Sequence, residues 1–345
     1  MNVLVAARCL RVTVLLCLLL LVSACATPIG VTRVETQAVY RSLTASVLST
    51  GRPSAATEQV LVRNGLAQRF QDDPEATLAT LRGTGVGLSR DHLFALAELS
   101  FVHAEDTRKP EYYLAAAVYA YAFLFPPDGT DHGAALSLVD PRLRLAADLY
   151  NLGLTLGLST PDRDHVLLEA GRQPLPFGTL TLAVDPEQFV WGGYRLGDFI
   201  PVAEFKLRGL RNRYRQPGVG APLAAGLTPV EGGPAADAAR KHIPPRLKVP
   251  VTAFVRLENV LEGLATGRVH GRVELYTADQ ATSVDVATHT VPLELEPSAA
   301  LAYVLEGAPV WDTELSGFLS VYKRNFSEGL AMLNPYRRGR VPVWC

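Results

Sequence analysis

Tyr112-Tyr-Leu-Ala-Ala-Ala-Val-Tyr-Ala-Tyr-Ala-Phe-Leu-Phe125 sets rings among alanines and carries no charge. Pro110 stands where a first helical turn tolerates proline, and Pro126-Pro127 stops the run. The spacing predicts a helix from Glu111 to Phe125. Small residues let helix axes approach closely while rings fill the gaps between them. Leu93–Ala104 is also dense in alanine and aromatics and predicts a second such helix, N-capped by Ser89. The tyrosine-interrupted run is too short to cross a bilayer, which takes about 20 apolar residues.

Working outward, Val31 to about Gly171 reads as helical. Val34, Ala38, Val39, Leu43 and Val47 follow amphipathic spacing. Ser54 opens a helix with Val60, Leu61, Leu66 and Phe70 on one face, and Asp73-Pro74-Glu75 opens another that Gly83 and Gly85 close. Asp140-Pro141 opens a helix through Leu145, Leu149 and Leu152. The packing is that of tetratricopeptide-like hairpins, although no regular repeat period is present. Such hairpins offer a concave partner-binding surface, and plain core packing explains the same residues.

From about Pro174 the pattern becomes β. Leu175–Val184 alternates, as does Glu204–Tyr214, where Phe205, Leu207 and Leu210 sit among Lys206, Arg208, Arg211, Arg213 and Arg215. Gln216–Pro245 is rich in Gly, Pro and Ala and reads as a long loop. Strands follow at Leu247–Leu257, Gly271–Ala278, Ser283–Ala287 and Thr290–Glu294, then a helix at Pro297–Leu305. The expectation is an α+β chain: a leader over residues 1–24, a helical domain over 25–172 and a β-rich domain over 173–345.

The leader has Arg8 and Arg11, an apolar Val12–Val22 run and then Leu21-Val22-Ser23-Ala24-Cys25. This reads as a bacterial lipoprotein signal peptide, cleaved after Ala24 with Cys25 acylated, palmitate being one such acyl group. A membrane-spanning anchor and a plain secretory signal are the alternatives. The apolar run is about half of what a spanning helix needs. Ala26-Thr27 offers no aspartate retention signal, so the expected place is the outer membrane facing the periplasm, held in membrane lipid by Cys25. The chain of 345 residues is 48% hydrophobic and 19% charged, enough for a packed core. Its net charge of −1 gives no field to recruit nucleic acid. Of four cysteines, Cys9 and Cys17 leave with the leader and Cys25 is lipidated, so Cys345 has no partner for an internal disulfide or a cysteine metal site.

No G-x-S-x-G is present; Ser316-Gly317 has only half of it. None of the seven histidines forms H-E-x-x-H. His132 near Asp128 and Asp131, and His165 near Asp162 and Asp164, read as loop polarity. Gly83-Thr84-Gly85-Val86-Gly87 lacks the strand and lysine of a phosphate loop. No cofactor and no catalytic residue is assigned. On a strand, Arg211, Arg213 and Arg215 would share one face at period two, suited to carboxylate, phosphate or lipid headgroups. The alternative is a solvated sheet face whose positive charges meet Asp or Glu from a neighbouring module. Trp191-Gly-Gly-Tyr194 suggests a turn where backbone comes close to another element.

Tyr40–Ser49, Tyr113–Tyr121, Leu210–Gly218 with Gly220-Ala-Pro222, and Tyr336–Val343 resemble the region preceding the catalytic domain of bacterial α/β-hydrolase-like lipoproteins and secreted proteins. The resemblance implies that Gly339-Arg-Val-Pro-Val343 is the first strand of a hydrolase sheet. It places a His-Gly oxyanion turn and a G-x-S-x-G serine beyond Cys345, as a frameshift or premature stop would. On this reading the chain is an envelope lipoprotein, the accessory and tethering region of a hydrolase-like protein without catalytic residues of its own. Two alternatives stand beside it. One is a stand-alone binding lipoprotein for a partner protein or anionic ligand; the other is a truncated serine esterase or lipase-type hydrolase.

Overall fold

The computed structural model describes residues 34–83, 89–126, 140–208, 213–230, 247–287 and 289–306. The chain divides into two compact units, 1–45 and 46–345. The described part of the first unit holds α1 (Thr36–Leu43), all of whose residues are exposed.

The second unit begins with short helices α2 (Val47–Thr50), α3 (Ala55–Arg63), α4 (Ala67–Asp72) and α5 (Pro74–Gly83). The long helices α6 (Arg90–Thr107), α7 (Pro110–Leu124) and α8 (Arg142–Gly157) follow. The sequence starts and stops hold closely. Ser89 caps α6 by accepting from His92 N–H, and Pro110 sits at the first turn of α7. The single helix expected after Ser54 is instead α3 and α4, parted at Asn64-Gly65, where Gly65 has φ +66°. Ser54 serves Glu98 rather than capping α3. Glu98 is wholly buried and accepts from the N–H groups of Val47 and Ser54 and from the Ser54 and Thr57 hydroxyls, at 2.7–3.0 Å. The acid thus satisfies backbone donors at the openings of two helices that would otherwise be orphaned.

Every residue from Tyr112 to Phe125 is buried, so the alanine-and-ring composition of α7 is core packing. The close approach it allows is visible against α8. A Cβ on Gly153 would lie 2.7 Å from the Tyr113 carbonyl oxygen, and one on Gly157 would lie 2.6 Å from Leu114 Cγ.

The α+β expectation is met by a seven-stranded mixed sheet in the order β1-β2-β7-β6-β5-β4-β3. Its strands are β1 (Gly171–Leu175), β2 (Gly178–Val184), β3 (Val190–Trp191), β4 (Tyr194–Pro201), β5 (Ala221–Pro229), β6 (Lys248–Glu258) and β7 (Arg268–Thr277). Among the described strands of this sheet only β2 and β7 pair in parallel, and helix α9 (Val260–Thr266) connects β6 to β7. A separate hairpin, β8 (Ser283–Val286) with β9 (His289–Pro292), precedes α10 (Pro297–Leu305). Helices α2 to α9 and the sheet share a hydrophobic core running from Val47 to Leu293, and a smaller cluster sets Ile200, Val202 and Ala224 against Ala299 and Ala300 of α10.

Tyr150 and Asn151 of α8 fasten helix to sheet. The Tyr150 hydroxyl donates to the Val255 carbonyl at 2.8 Å and accepts from its N–H at 2.9 Å. Asn151 accepts from Gly220 N–H and donates to the Gly218 carbonyl. Burial drives the Tyr150 phenol well above its ordinary value, consistent with a hydroxyl that stays a donor.

Three further sequence expectations are corrected. The described residues between Glu204 and Tyr214 are not a strand; the alternation of charge there has another cause, given below. Within the expected loop Gln216–Pro245, Ala221–Pro229 is an inner strand, with Ala221–Ala225 buried and α8 packed near it. Its Ala and Gly residues suit a helix lying close, and its proline content concealed the strand. Trp191-Gly-Gly-Tyr194 is the two-residue turn of the β3–β4 hairpin. Its glycines have φ +57° and +86°, and Gly192 has open space around it. Handedness, not close approach, explains that pair.

Candidate functional site

Four segments converge on a cavity of about 220 Å³. Helix α5 presents Glu75, Leu78, Ala79 and Arg82, one face at i, i+3, i+4 and i+7 spacing. Helix α7 presents Tyr112, Ala115 and Tyr119, α6 contributes Ser100, and the β1–β2 turn closes one side with Pro176 and Phe177. The volume is below the ~300–1,000 Å³ typical of sites for drug-sized ligands, so the space suits a small molecule.

The two charged residues of the α5 face differ in their partners. Glu75 Oε1 receives Lys109 Nζ at 2.6 Å and lies 3.1 Å from His103 Nε2. The hydrogen bond from Lys109, and then that from His103, hold its carboxyl below the usual value. His103 packs edge-on against Tyr112 with ring centroids 4.4 Å apart. Arg82 has no ion-pair partner among the described residues. It donates from Nη2 to the Leu264 carbonyl at 2.6 Å, and its guanidinium lies over the Phe177 ring at 4.7 Å. A guanidinium has five N–H donors, so most of its capacity is uncommitted.

Two buried residues with hydroxyls line the same cavity. Tyr119 is 3% exposed and Ser100 2%, and neither side chain has a hydrogen-bond partner among the described residues. Burial raises the Tyr119 phenol well above its ordinary value, opposed by the nearby Arg82 charge. Burial likewise pushes Tyr112 up to about 12. Both therefore stay protonated and able to donate.

Arg213 and Arg215 are placed elsewhere, in irregular backbone against α10 and the strand before it. Arg213 reaches Glu296 through Nε at 3.1 Å and Nη2 at 2.5 Å. Arg215 Nε donates to Glu294 at 2.5 Å, with Asp148 at 3.5 Å from its Nη2. The glutamate side chains are only 1–2% exposed. Arg213 and Arg215 thus answer buried acids rather than a strand face, while Arg208 pairs with the exposed Glu306. Arg211, Cys25 with its leader, His132 and Tyr336–Val343 lie outside the described residues. His165 meets Asp198, not its sequence neighbours, at 2.9 Å, and Asp198 also receives Lys248. Among the described residues, no group of His, Cys, Asp and Glu is arranged to hold a metal ion, and no helix is long and apolar enough to cross a membrane.

The cavity had little signal in the sequence. Its α5 face is an ordinary amphipathic pattern, and the converging groups come from positions as far apart as Glu75 and Phe177. No family model, no curated protein and no solved structure matches the chain.

Proposed function

We propose that this chain is a cell-envelope lipoprotein, tethered through an acylated Cys25, whose folded body is a small-molecule binding module. The cavity carries the binding half: a half-buried guanidinium and the hydroxyls of two buried residues, with unused donor capacity, line space large enough for a ligand. Donors that open on the cavity and are not used internally can be taken up by the acceptor oxygens of a bound ligand. The leader and Cys25 carry the tether. Two or more acyl chains anchor a protein stably where a single chain does so only marginally.

The resemblance of Tyr40–Ser49, Tyr113–Tyr121 and Leu210–Gly218 to pre-catalytic regions supports a wider proposal. The module serves as the accessory region of an α/β-hydrolase-like activity at the outer membrane. In the same reading, α6 and α7 form a tetratricopeptide-like hairpin, supported by their alanine-rich buried contact.

Two measurements test this reading. Labelled palmitate should enter the full chain and be lost, with release from the membrane fraction, in Cys25→Ser. Native mass spectrometry of the protein purified from its own membranes should show a retained small molecule. A chain that is unlabelled, or stays at the membrane without Cys25, contradicts the tether; a chain that retains no molecule counts against the binding module.

A further inference from the structure

Resting on the binding-module reading, we infer that the cavity between α5, α6, α7 and the β1–β2 turn takes a small organic carboxylate, a monoanion with a compact apolar body.

The sign of the ligand follows from the partners already described. The Glu75 charge is answered by Lys109, with His103 as a second contact on the same oxygen. Arg82 faces no carboxylate among the described residues and spends one donor on a carbonyl. With Lys109 engaged by Glu75, the lining retains one uncompensated positive charge, which disfavours a cationic ligand. A dianionic phosphate would call for a second free cation, and Lys109 is already committed.

The shape of the charged group follows from the donors. A carboxylate has two oxygens with about four lone-pair sites and accepts the guanidinium fork in a bidentate manner. The Tyr119 and Ser100 hydroxyls can supply the remaining donors. Neither oxygen is among the fully buried, unpartnered side-chain atoms, so both are open to the cavity and can donate to a bound oxygen. Arg82 lies over the Phe177 ring at 4.7 Å and the Tyr119 ring packs against the same ring at 5.2 Å, so the two groups address neighbouring space.

The body follows from the walls. Leu78, Ala79, Ala115 and Pro176 are aliphatic, and Phe177 and Tyr119 pack at 5.2 Å between ring centroids. A flat ring or a short alkyl chain buries against this surface, and the alanines leave the room it needs.

The test is calorimetric titration of the full chain with benzoate and hexanoate, set against benzamide, benzylammonium and inorganic phosphate. Benzoate or hexanoate should bind saturably, with the amide, the amine and phosphate weaker by about tenfold or more, because charge-assisted hydrogen bonds are lost. Arg82→Gln should weaken carboxylate binding by about tenfold, and Tyr119→Phe and Ser100→Ala each by about threefold. The last two changes delete single uncommitted hydroxyl oxygens, so these variants test the site even if Arg82→Gln folds poorly. Carboxylate binding that all three variants leave unchanged overturns the assignment to this cavity. Equal or tighter binding of benzamide or benzylammonium, reduced by the same variants, overturns the carboxylate class and leaves the binding module standing. If no probe binds up to about 10 mM, the weak limit of a specific site, the proposed class is overturned. Native mass spectrometry then separates the two claims: a retained molecule keeps the binding module, and its absence overturns that as well.

Discussion

Arg82 and Arg215 carry the same guanidinium and meet opposite surroundings. Arg215 points at Glu294, whose side chain is 1% exposed and which also takes Gly218 N–H at 2.8 Å and Arg144 at 3.5 Å. Every charge there has an internal answer. Arg82 has one carbonyl, one ring face and a cavity. A matched arginine ties the chain to itself, whereas one left with spare donors beside open space is equipped for something that comes from outside. The more conspicuous sequence feature, the Arg211, Arg213 and Arg215 stripe, has its two described members in the matched class.

The largest expected effect comes from breaking a matched pair on the sheet. Arg256 forks onto Glu274 at 2.7 and 2.9 Å, and the Glu274 side chain is 8% exposed. Arg256→Met removes both arms of the fork and leaves Glu274, among the described residues, only the Tyr276 hydroxyl at 2.9 Å and the half-exposed Arg272 at 3.4 Å. It should destabilise the fold by about 4 kcal/mol, within the range for removing one partner of a buried pair. The loss has a defined pH dependence. Burial raises the Glu274 pKa, but the hydrogen bonds from Arg256 and Tyr276 outweigh it and leave the group below its ordinary value. Its stabilisation is therefore present above the unfolded value of about 4.3 and lost as pH falls through the lowered folded value. Urea midpoints of wild type and variant should differ most near neutrality and converge on acidification. A gap independent of pH would show that packing, not the ion pair, was lost.

Arg215→Ala should come next, at about 3 kcal/mol, because Arg144 and Gly218 still face Glu294. Arg82→Gln, with only a carbonyl bond and a ring contact to lose, should cost about 1 kcal/mol or less. Equal losses in thermal unfolding would dissolve the distinction between the two arginines.

A pair of tyrosines sharpens the same contrast. Tyr150→Phe strips two hydrogen bonds from Val255 and should cost about 2 kcal/mol. Tyr119→Phe removes a hydroxyl with no partner among the described residues and should change stability by less than about 0.5 kcal/mol. A large loss at Tyr119 would mean that its hydroxyl is bound internally.

The helices were legible because their ends carry their own chemistry: Ser89 at the start of α6, Pro110 at α7 and Pro297 at α10 are local signals with local effects. Strand β5 was not, because its composition reflects what packs against it, and Ala221–Ala225 reads as a loop until α8 is in place. The alternation through Glu204–Tyr214 misled for the same reason: Arg213 and Arg215 are spaced to reach Glu296 and Glu294, which lie some eighty residues away. The cavity is less legible still. Glu75, Arg82, Ser100, Tyr119 and Phe177 acquire common meaning only once three helices and a turn meet, and the decisive property of Arg82, the lack of an acidic partner, cannot be read from one chain position.

The most direct test is to watch the arginine side chains by NMR while benzoate is added to the isotopically labelled full chain, with Arg82→Lys and Arg215→Lys used to assign the Nε–H signals. The Arg82 signal should shift saturably while those of Arg213 and Arg215 stay fixed in their ion pairs. A shift confined to Arg213 or Arg215, with Arg82 unmoved, would place the binding surface on the arginine stripe and contradict the assignment of the cavity.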